Sequence, residues 1–88
     1  MLDDADYTGL QISLSENPEL GKLIQQSGGL RKVRWALPGR GKSGGGRVIY
    51  YYWGREEDMI TLCSIYPKNE KENLSRAEIQ DLRKQLEL

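Results

Sequence analysis

The chain has 88 residues, 38% of them apolar and 30% charged, with thirteen basic and thirteen acidic side chains that cancel. That length supports one domain, residues 1–88, with a modest core and a stability of ~5–10 kcal/mol, and the balance is that of a soluble globular chain. No apolar run approaches the ~20 residues of a membrane span, and the acidic start MLDDADY is not a signal peptide.

Histidine is absent and Cys63 is the only cysteine, so neither a disulfide framework nor a thiolate cluster can form. No metal site and no small-molecule cofactor are expected, and a reducing, cytoplasmic setting fits. Cys63, inside an apolar run, reads as a small buried packing residue.

In chain order, Asp3 or Asp4 can cap a first helix whose Tyr7, Leu10 and Leu14 recur at helical spacing. Ser15–Pro18 ends it, because a residue before proline avoids helical angles. Pro18 then opens a short second helical turn, PELGKLI, followed by a polar, glycine-ended connection at Gln25–Gly29. Leu30–Leu37, Arg47–Trp53 and Met59–Tyr66 are strand candidates, the last two joined by a turn at Gly54–Asp58. Alternation puts Arg31, Val33 and Trp35 on one face of the first strand, and Leu30, Lys32 and Arg34 on the other. Large side chains on both sides of Arg47–Trp53 place that strand centrally in an antiparallel sheet. The last element is a helix announced by a capping box, Ser75-Arg-Ala-Glu78, with Leu74 and Ile79 at the staple positions and Ile79, Leu82 and Leu86 as its apolar stripe. The fold class is α+β: a small antiparallel sheet, N-terminal helices on one face, and a C-terminal helix.

The neutral total hides a separation of charge. Residues 1–21 carry −5, residues 22–55 carry +8 with no acid among them, and residues 56–88 carry −3. A basic, aromatic, glycine-hinged centre is an electrostatic footprint for polyphosphate. Within it ALPGRGKS (36–43) formally matches a loose nucleotide-phosphate loop. Three glycines and a strand follow where that chemistry needs a helix N-terminus, so nucleotide binding is not expected.

Three blocks, GGLRKVRW, GRGKSGGGRVIYYYW and IYPKNEKENLS, resemble in order and spacing the RelE/HigB group of bacterial toxins in the wider RelE/ParE superfamily. The helix followed by NPELG is similar to that family's N-terminal region. The resemblance implies a small antiparallel sheet with helices against it, and a ribosome-dependent mRNA endonuclease held inactive by a cognate antitoxin. Family chains usually open on a strand ahead of the first helix. This one begins almost directly at the helix, so a sheet short of one edge strand is expected.

RNA can be cut without metal when its 2′-hydroxyl attacks the adjacent phosphate, given a base, cations for the developing charge and an acid for the leaving 5′-oxygen. Without histidine that work falls to Lys, Arg and Tyr, whose ordinary pKa values lie far from neutrality, so the site depends on positioning of the RNA by the ribosome. By resemblance, Arg47 is the transition-state clamp, and Lys42 and Lys68 serve proton transfer or charge stabilisation. Tyr66 stacks on a base or assists with protons, and Arg31, Lys32, Arg34 and Arg40 hold RNA backbone. The bland alternative for Arg47 is an ion pair with Glu56, Glu57 or Asp58. Two other functions use the same residues: a non-catalytic RNA-binding module, and a ParE-like DNA gyrase inhibitor that shares the fold but lacks the nuclease cations. Lys42, Arg47, Tyr66 and Lys68 together favour the nuclease.

Overall fold

The computed structural model describes residues 4–35, 45–54 and 58–88. They form α1 (Asp4–Glu16), β1 (Lys22–Leu23), β2 (Leu30–Trp35), β3 (Gly46–Gly54), β4 (Asp58–Pro67) and α2 (Arg76–Leu86). The four strands make one antiparallel sheet in the order β1-β2-β3-β4, with β3 inside it as its two-sided pattern requires.

Helix α1 ends at Glu16, just ahead of Asn17-Pro18, and buries Leu10 and Leu14 while Tyr7 stays partly exposed. The second helical turn expected at Pro18 does not form. Asn17–Leu20 makes a turn closed by the Leu20 amide donating to Asn17 O (3.0 Å), and Lys22–Leu23 pairs with Lys32 and Arg31 as β1. The cause is Tyr50, whose buried hydroxyl donates to Pro18 O (2.7 Å) and accepts from the Gly21 amide (2.8 Å), taking backbone groups a helix would use. Gly21 suits the position because a Cβ there would lie 2.8 Å from Lys32 O. Tyr50→Phe strands both backbone groups and is expected to cost ~1–3 kcal/mol, read as a fall in the denaturation midpoint. An unchanged midpoint would remove Tyr50 as the organiser of this turn.

The sheet faces differ as the alternation predicts. Val33, Val48 and Tyr50 join Leu10 and Leu14 of α1 in one core cluster, with Trp35, Tyr52, Leu62 and Ile65 against it. On the other face Leu30, Ile49 and Tyr66 join Leu82 of α2, with Leu74, Ile79 and Leu86 alongside. One helix therefore covers each face, and among the described residues a single N-terminal helix is present where the sequence suggested two. In β4 a bulge divides the side chains between these clusters: Ser64 pairs with Ile49, but Leu62 pairs with Tyr50, leaving Cys63 between them. Cys63 is half-buried there, and burial pushes its thiol pKa up.

The α2 capping box forms as read. The Glu78 amide donates to Ser75 Oγ (3.1 Å) and the Ser75 amide to Glu78 Oε1 (2.9 Å). This cap fixes where the helix begins, and hence the short turn Lys68–Leu74 that leads back from β4 over the sheet.

Candidate nucleic-acid interface

The α2 face of the sheet carries a cross-strand row, Arg34–Arg47–Tyr66, in which each residue is the register partner of the next. Lys32 lies two positions before Arg34 on that face. Directly opposed arginines repel, and the compensation comes from Glu72 in the turn after β4. Arg47 Nη2 donates to Glu72 Oε2 (2.8 Å) and Oε1 (3.0 Å), and Arg47 Nε donates to Oε1 (3.3 Å). Arg47 Nη1 caps Gly46 O at 3.3 Å. Lys32 Nζ stands 3.8 Å from Glu72 Oε1 and donates to Asn73 Oδ1 (2.5 Å) and Glu72 O (3.4 Å). The Tyr66 hydroxyl donates to Glu72 O at 3.3 Å.

The Arg47 side chain is only 3% exposed, whereas that of Glu72 is 46% exposed. Tyr66 is also 3% exposed, and Lys71 Nζ lies 5.0 Å from its ring centre, so stacking of an RNA base on Tyr66 is closed in this arrangement. Lys71 also pairs with Glu78.

Environment tunes these groups in definite directions. A hydrogen bond from Arg47, and then the charges of Arg47, Lys32 and Arg34, hold the Glu72 carboxyl below the usual carboxylate range. Burial pushes the Tyr66 hydroxyl up, against a smaller opposing pull from Arg47. Tyr66 therefore keeps its proton at neutral pH and suits donation better than abstraction. The Lys71 hydrogen bond first, then that from the Ser75 amide, lowers Glu78 from 4.5 to about 2.

A carboxyl whose folded pKa is depressed stabilises fully above its unfolded value and loses that contribution as pH falls through the folded one. For Glu78 the window runs from 4.5 down to about 2, with Glu72 adding in the same direction. Thermal melts are thus expected to be flat between pH 4.5 and neutrality and to fall below pH 4.5. Glu78→Gln should have a shallower acid limb, and an identical limb would refute this assignment.

The remaining sequence-predicted residues divide. Lys68 is exposed at the end of β4, its amide donating to Gly45 O (2.9 Å), at the base of the glycine-rich loop. Lys42 and Arg40 lie outside the described residues, as do Glu56 and Glu57. Arg31 sits apart on the α1 face, donating to Gly21 O (2.9 Å) with Glu19 at 3.9 Å. The reading from sequence missed Glu72, Lys71 and Asn73. Their signal was the shortness of the stretch between Tyr66 and the capping box, which returns its carboxylate over the strand end carrying Arg47. Among the described residues, no group of His, Cys, Asp and Glu could hold a metal ion, and no helix is long and apolar enough to cross a membrane.

Residues 17–87 match the family model described as RelE toxin of the RelE/RelB toxin–antitoxin system. The chain belongs to the RelE toxin family. That match takes in β1 to β4 and α2, and so every residue of the Arg34–Arg47–Tyr66 row and the Glu72 turn. As a RelE-family toxin the protein implies an antitoxin partner of the RelB type.

Proposed function

We propose that this RelE-family toxin is a ribosome-dependent mRNA endonuclease that cleaves without a metal ion and so stops translation in the cytoplasm. The carrying observation is the convergence of Arg47 and Lys32 on a single carboxylate, with Arg34 next to Arg47 in the cross-strand row, an arrangement of cations matched to one anion. The RNA 2′-oxygen attacks the adjacent phosphorus. The new O2′–P bond forms as the P–O5′ bond breaks, leaving a 2′,3′-cyclic phosphate and a 5′-hydroxyl. Arg47 holds the equatorial oxygens through its planar fork. Tyr66, protonated at neutral pH as tyrosines ordinarily are, hands a proton to the departing 5′-oxygen. Lys42 and Lys68 take the 2′-proton or steady the charge, and Lys32, Arg34 and Arg40 hold RNA backbone. Arg31, on the opposite face, stands outside this group. Tyrosine and lysine are poor acid–base catalysts alone near neutral pH, which makes positioning by the ribosome part of the mechanism.

The test is purified protein with mRNA, free and on programmed ribosomes. Cuts are expected on ribosomes only, and intact transcripts there would leave a binding module instead. Binding should weaken as salt rises, because each neutralised phosphate releases counterions. Arg34→Glu should weaken binding for all RNA sequences alike and flatten the log–log salt slope by about one. Salt-independent binding would remove the patch from the interface.

A further inference from the structure

Four donors surround the Glu72 carboxylate and carbonyl: Arg47 Nε, Arg47 Nη2, Lys32 Nζ and the Tyr66 hydroxyl. Such a cluster of donors matches a phosphodiester, whose free oxygens only accept. A phosphate gripped bidentately by Arg47 needs the same Nε–Nη2 edge that the carboxylate now fills. With Arg47 3% exposed, that edge has no room for both.

We propose that Glu72 is a tethered occupant of the phosphate site, so that the turn Lys71–Asn73 must lift before an RNA phosphate can reach Arg47; this rests on the reading of Arg47 as the phosphate clamp. The outer part of the turn is lightly held, and the bidentate Arg47–Glu72 pair is the contact an arriving phosphate replaces. Glu72 and Asn73 are exposed, and the contacts from Lys32 lie at the surface, where ion pairs are individually weak. The occupant also filters ligands. A group tethered by a few residues competes at an effective concentration of ~mM, which dilute free phosphate cannot match. An RNA strand fixed on a ribosome presents its phosphate at a comparable local concentration. The site therefore opens on positioned RNA and stays shut to stray anions.

The experiment titrates the full chain, Glu72→Gln, Glu72→Ala and the control Glu70→Gln with inorganic phosphate and with a 2′-deoxy oligonucleotide that lacks the attacking hydroxyl. The readout is the Arg47 Nε–H resonance, with a thermal melt to confirm that each variant is folded. Both Glu72 variants are expected to bind both probes at least ~10-fold more tightly than wild type, which is ~1.4 kcal/mol. Glu70→Gln, which removes the same charge from an exposed neighbour in the same turn, should gain less than ~2-fold. Unchanged affinity in the Glu72 variants, or an equal gain in Glu70→Gln, overturns the proposal. Ribosomal cleavage by wild type judges the nuclease reading separately. A tenfold gain without any cleavage leaves Glu72 as the occupant of an anion site and removes the nuclease, and cleavage without a gain does the reverse.

Discussion

Arg47→Lys is expected to lower mRNA cleavage on ribosomes ~100- to 1000-fold while ribosome binding stays nearly constant. Lysine keeps the charge but not the fork, and one strong contact made only in the transition state is worth ~3–4 kcal/mol. The position makes the loss specific. Arg47 is planted by strand pairing between Arg34 and Tyr66, directly after Gly46, and a lysine there cannot present two parallel N–H groups to one anion. A purely structural Arg47, present only to hold Glu72, predicts something different. Arg47→Lys and Glu72→Gln would then disturb the same pair and lose stability and cleavage in parallel. With Arg47 as the phosphate clamp they separate: Arg47→Lys folds and is inactive, whereas Glu72→Gln folds and still cuts. Growth arrest by Arg47→Lys at wild-type expression would remove Arg47 from the catalytic group.

Leu82→Ala is expected to destabilise the fold more than Tyr50→Phe or Glu78→Gln. Leu82 is the buried residue of α2, packed with Leu30, Ile49 and Tyr66, so truncation opens a cavity beneath the Arg34–Arg47–Tyr66 row. The cost is ~2–5 kcal/mol, which for a domain of this size lowers the midpoint by at least ~8 °C. Because Tyr66 shares the cluster, the proposed cleavage should fall beyond what the folded fraction explains. An unchanged midpoint would mean that α2 does not rest on the sheet in the free protein.

Much of the fold was legible because the local signals agreed with the tertiary outcome. The faces of β2 and β3 follow from strict alternation, and the α2 cap follows from four residues at fixed spacing. Pro18 misled for a physical reason. Its preference for a first helical turn is a local effect, and the Tyr50 hydroxyl, 32 residues away, claims its carbonyl for another shape. The site was half legible. A run of eight cations without an acid marks the surface, but it does not say which anion the cations face in the free protein. The nearest carboxylates in the chain were those after β3, whereas the partner is Glu72, 25 residues from Arg47. Sheet register and the turn out of β4 decide that pairing, and neither is a local property of the sequence. Arg31 is the opposite case: alternation in the sequence already set it on the face away from Lys32 and Arg34, and only its membership of the basic run grouped it with them.

A RelE-family toxin that cuts mRNA while the message is on the ribosome leaves its products in register with translation. The most direct measurement is transcriptome-wide mapping of mRNA 5′ ends in cells after induction, with Arg47→Lys as the matched control. New 5′-hydroxyl ends are expected inside coding regions, in phase with the reading frame, absent from untranslated regions and absent in the control. Ends unrelated to frame, or growth arrest with transcripts intact, would contradict ribosome-dependent cleavage.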